Sequence, residues 1–63
     1  MKKKYSDLPA WCFDLDEVSA SVYRVVGTDN EGRVVTVTGE DLENVVEQCK
    51  TRAEEIESTL KRD

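Results

Sequence analysis

By type and spacing, the residues best suited to chemistry are three neighbouring carboxylates, Asp14, Asp16 and Glu17. Hard cations such as calcium and magnesium take oxygen ligands, and Asp-x-Asp spacing occurs in calcium loops. The fuller loop pattern, with its central glycine and distant bidentate glutamate, is absent here. Trp11, Phe13 and Leu15 alternate with Cys12, Asp14 and Asp16, which puts the two aspartates on the solvent side of a half-buried strand. A solvated acidic strand end therefore explains them better than a metal site does. Asp29 and Glu31 fall in Asp29-Asn30-Glu31-Gly32, where aspartate at the first position and glycine at the fourth already have a conformational reason.

Catalysis has less support still. The chain has no histidine, so the usual general base near neutral pH is missing. Cys49 sits on the apolar stripe of a helix, where cysteine behaves as a small hydrophobe. Cys12 as a nucleophile would need a lowered thiol pKa and a pocket, and no activating neighbour is evident. Gly27, Gly32 and Gly39 are isolated, unlike a phosphate-cradling loop. The sequence thus predicts no enzyme, no cofactor and no metal. Cys12 and Cys49 point to opposite faces of the expected core, which predicts two free thiols, because a bridge needs converging side chains and Cα atoms within ~7 Å.

With 63 residues, one domain with a small core is expected, and oligomerisation is the natural supplement to its stability. There are 14 acidic and 9 basic residues; setting aside Lys2, Lys3 and Lys4 leaves a net −8 on residues 5–63. Such a body repels phosphate backbones. No apolar run approaches a signal-peptide core or a membrane span, and the expectation is a cytoplasmic protein without membrane contact.

The elements follow from periodicity. Residues 1–9 form a basic flexible arm, and residues 10–63 a single small α+β domain. Strands are predicted from Trp11 to Asp16, Ser21 to Val26 and Arg33 to Thr38, with Glu17 to Ser19 as the first turn. The second turn is a type I turn closed by Gly32. From Thr38 to Asp63 the chain reads as one amphipathic helix, capped by Thr38 with Asp41 three residues on. Leu42, Val45, Val46, Cys49, Ala53, Ile56 and Leu60 line its apolar face. The fold expected is a three-stranded antiparallel β-meander packed against one long C-terminal helix (β-β-β-α). Trp11, Phe13, Leu15, Tyr23, Val25, Val35 and Val37 should face Leu42, Val45, Val46 and Cys49 in the core.

Two surfaces remain for partners. Arg24, flanked by Val22 and Val26, should lie on the uncovered sheet face, with Val34 and Thr36 on the next strand; arginine anchors are enriched in interfaces. The helix, at about 22–24 residues or roughly 33–36 Å, should outrun strands of about 17–20 Å. That leaves Ala53, Ile56 and Leu60 free to pair with a second copy or another chain.

The stretches Trp11-Cys12-Phe13-Asp14-Leu15, Ser21-Val22-Tyr23-Arg24-Val25 and Gly32-Arg33-Val34-Val35 carry a resemblance. The chain resembles small uncharacterised bacterial β-meander-plus-helix proteins, some of them similar to the immunity proteins of contact-dependent toxin systems. The resemblance covers roughly residues 10–50 and implies a non-enzymatic acidic protein that binds another protein. The leading expectation is a small acidic protein-interaction domain, self-associating as a weak homodimer or immunity-like, whose acidic surface steers it to a basic partner. The alternative is an accessory module whose basic arm, Lys2 to Lys4, contacts nucleic acid.

Overall fold

The computed structural model describes residues 1–60, the side chain of Leu60 excepted. Four strands, β1 (Lys2–Tyr5), β2 (Leu8–Ser19), β3 (Val22–Asp29) and β4 (Val34–Gly39), precede one helix, α1 (Leu42–Leu60). The strands form one antiparallel sheet in the order β1-β2-β3-β4. The α+β class and the helix packed on an antiparallel meander agree with the sequence expectation. The strand count does not: there are four strands, not three.

The additional strand is the lysine run itself. Residues 1–9 do not hang loose. Tyr5 pairs with Leu8 across Ser6-Asp7, and Lys2 and Lys3 pair with Asp14 and Phe13. Tyr5 stacks edge-on against Phe13 at 5.4 Å between ring centres, and the Lys50 ammonium sits 4.4 Å from the Tyr5 ring centre. Asp7 pairs with Lys50 at 3.5 Å. Pro9, which has no N–H to give a ladder, falls in the irregular stretch between these two pairings, ahead of the first β2–β3 pair at Trp11 and Asp29.

The turn between β2 and β3 also lies later than the sequence suggests. Glu17 still pairs with Tyr23, and the chain reverses at Ala20-Ser21 with Ser21 at φ 62°. The second turn is as expected. Gly32 has φ 84°, and the Asp29 carboxylate accepts the N–H of Glu31 at 2.9 Å and of Arg33 at 2.8 Å. Gly27 lies inside β3, opposite Phe13, and a Cβ there would stand 2.8 Å from the Phe13 ring. Only a residue without a side chain admits that ring.

The core is Leu8, Trp11, Phe13, Leu15, Val25, Val35, Val37, Val45, Cys49 and Ala53, with Tyr5, Leu42, Val46 and Ile56 packed around it. Trp11, Phe13 and Val25 have no solvent exposure. Asp41, not Thr38, caps the helix: its carboxylate accepts the Glu43 N–H at 3.2 Å, because β4 holds Thr38 in the sheet opposite Arg24.

Candidate interaction surface

The helix covers one face of the sheet, and among the described residues nothing covers the other. Three rows cross the open face. Lys2, Asp14, Val26 and Thr36 lie in register, as do Asp16, Arg24 and Thr38, and Cys12, Thr28 and Val34. Arg24 is exposed, whereas Val22 and Val26 are half-buried. Asp16 stands directly opposite Arg24, so the acidic pair expected on the solvent side of its strand is where alternation puts it. It shares that face with a cation on each flank, Lys2 and Arg24. Among the described residues no three histidine, cysteine or carboxylate side chains converge as metal ligands would.

Among the described residues the helix does not overhang the sheet. β2, at 12 residues, spans about 40 Å at ~3.3 Å per residue, while α1, at 19 residues, spans only about 28 Å. The long strand runs under the far half of the helix. Ala53 has no exposed surface at all, so it is core and not a docking residue. Ile56 is half-buried against the core. Leu60, the third residue of the expected stripe, has its side chain outside the described residues. The contact that fastens this end is one the periodicity does not display: the Trp11 indole N–H donates to Glu57 Oε1 at 2.9 Å.

The thiols lie on opposite faces and are both free. The Cys49 Sγ lies 3.7 Å from the Val25 carbonyl and 3.8 Å from that of Val35. Burial pushes its pKa up, against weaker opposing pulls from the Gly27 backbone and the Arg52 charge, which suits a packing role and not a nucleophile. Cys12 is half-buried on the open face.

The two edges of the sheet are unlike. β1 presents Lys2, Lys3 and Lys4, all exposed. β4 presents Val34-Val35-Thr36-Val37-Thr38 without a charge, and Val34 is 59% exposed. Beside it run Arg52, Glu55 and Ile56 of the helix, which with Val34, Val35 and Thr36 line a shallow groove. The apolar signal in the edge strand is legible in sequence; its position at the sheet's rim follows only from the strand order.

With this geometry in hand, comparison with known proteins returns no matching family model, no curated protein and no solved structure. Among the described residues, no helix is long and apolar enough to cross a membrane.

Proposed function

We propose that this chain is a small acidic, non-enzymatic protein-interaction domain that binds its partner through the uncovered face of its sheet. The observation that carries the reading is the placement of Arg24 between half-buried Val22 and Val26, on the face opposite the helix. A guanidinium over an apolar floor offers both burial and directed hydrogen bonds, the combination enriched at interface centres. Asp14 and Asp16 lie on the same open face, in register with Val26 and Arg24, and with the net acidic charge of the chain they raise the encounter rate with a basic partner more than they raise affinity. An immunity-like role, in which the domain masks a basic protein, fits this chemistry. The lysine run has a different explanation from nucleic-acid contact: lysines on an edge strand block strand addition.

Capture of partners from an extract of the source cell, read by mass spectrometry, tests the reading. A partner retained by the wild type should be lost with Arg24→Glu and with Val26→Glu, and kept by Glu55→Gln, with all three variants showing wild-type circular dichroism. An identical set of partners from all four proteins would move the binding surface elsewhere.

A further inference from the structure

We propose that β4 is a self-pairing edge: two copies of this chain join antiparallel through β4 about a two-fold axis at Thr36, making one eight-stranded sheet. The inference concerns the rim of the sheet and stands independently of what the open face binds.

The backbone sets the register. The Asp29 N–H donates to the Arg33 carbonyl at 3.0 Å. Antiparallel pairs alternate between hydrogen-bonded and non-hydrogen-bonded positions, so Val35 and Val37 turn their backbone groups toward β3. Those of Val34, Thr36 and Thr38 point out to the rim. An axis at Thr36 sets Thr36 against its own copy and Val34 against Thr38 of the copy, matching rim donors to rim acceptors in about six hydrogen bonds. On the helix side, Val35 then meets Val37 of the copy; on the open side, Val34 meets a threonine methyl. Such β-branched cross-strand pairs stabilise a sheet.

Charge says why the occupant is a second copy. A two-fold axis perpendicular to the sheet keeps both helices on one face. Arg52 and Glu55 flank Val34, Val35 and Thr36, and neither belongs to an ion pair among the described residues. The axis brings Arg52 of each copy toward Glu55 of the other. The opposite rim is closed to the same pairing, since two β1 strands would set lysines against lysines. The seam is small, at or below the ~1,200 Å² of weak transient contacts, and it works against the charge of two acidic bodies. Association is therefore weak, and added salt tightens the pair by screening that repulsion.

Sedimentation equilibrium over a concentration series at low and high salt, joined to amide hydrogen exchange, is the test. The wild type should shift from monomer to dimer with concentration, more readily in high salt. The amides of Val34, Thr36 and Thr38 should gain protection as it does so. Thr36→Lys sets two ammoniums at the axis and should leave a monomer at every concentration, with an unchanged circular dichroism spectrum. If that variant loses its fold, Val34→Lys, at an exposed position, serves in its place. Lys4→Thr, on the far rim, should still dimerise. A wild type that stays monomeric to ~1 mM in high salt would overturn the proposal. So would a dimer that survives folded Thr36→Lys or Val34→Lys, or one whose β4 amides gain no protection.

Discussion

At Gly27 the whole side of Phe13 depends on the absence of one carbon. Gly27→Ala puts a methyl 2.8 Å from the ring, and overpacking of this kind costs about 1–3 kcal/mol; urea unfolding should show the loss. Ser21 works in the other direction. Its φ of 62° strains any residue with a Cβ, so Ser21→Gly should raise the melting temperature, by up to ~1 kcal/mol in stability after glycine's own entropy cost. Asp29 carries the pH dependence. Burial by itself would raise its pKa, but the backbone N–H and guanidinium of Arg33 and the N–H of Glu31 outweigh it and hold the carboxyl below its ordinary 3.8. A depressed carboxylate stabilises the fold fully above the unfolded value and loses that contribution as pH falls through the folded one. The gap in urea stability between wild type and Asp29→Ala should therefore be widest above about pH 5 and narrow on acidification below 3.8.

Among the elements, the β2–α1 fastening has the largest consequence. Trp11 is fully buried and its indole N–H reaches Glu57. Trp11→Ala should cost about 3–5 kcal/mol, enough to unfold much of a domain this small. Glu57→Ala should cost less, about 1–3 kcal/mol, because it leaves the buried indole N–H without its charged acceptor. Differential denaturation of the two variants separates packing from bonding. Most of the core was legible in the sequence because alternation in Trp11-Phe13-Leu15 and the helical spacing of Val45-Cys49 are local signals; Leu8 and Ala53 are core residues that the local pattern did not place there, and Tyr23, expected inward, is not among them. What was not legible is where strands stop. Lys2 to Lys4 read as a tail because edge strands use lysine for protection, which erases the apolar pattern by which strands are found. The clue lay in Tyr5 and Leu8 framing Ser6-Asp7, a two-residue turn between apolar partners. Missing that hairpin shortened the expected sheet, and the error then passed to the helix: Ala53 and Ile56, expected to overhang, pack on the core. The open-face residues Val22, Arg24 and Val26 escaped the error because their side depends on β3 alone.

For the molecule as a whole, every strand pairs with its neighbour in sequence, so the sheet assembles through short loop closures and only the helix must return across it. That topology favours fast folding with few long-range steps. It also gives the two cysteines unequal standing. Ellman-type labelling at mildly alkaline pH should be faster at Cys12 than at Cys49, which lies with no exposed surface between β3, β4 and the helix; equal rates would mean that the helix lifts from the sheet freely. Because Cys49 is screened from reagent unless the two layers part, its modification rate is a clock on that parting. Under conditions where closing outruns labelling, the ratio of its rate to that of an unstructured thiol equals the equilibrium constant for opening. The chain thus carries a built-in gauge of its own stability, readable in native buffer without denaturant. Each substitution above, made in an otherwise unaltered chain, should move that clock in the direction of its stability change.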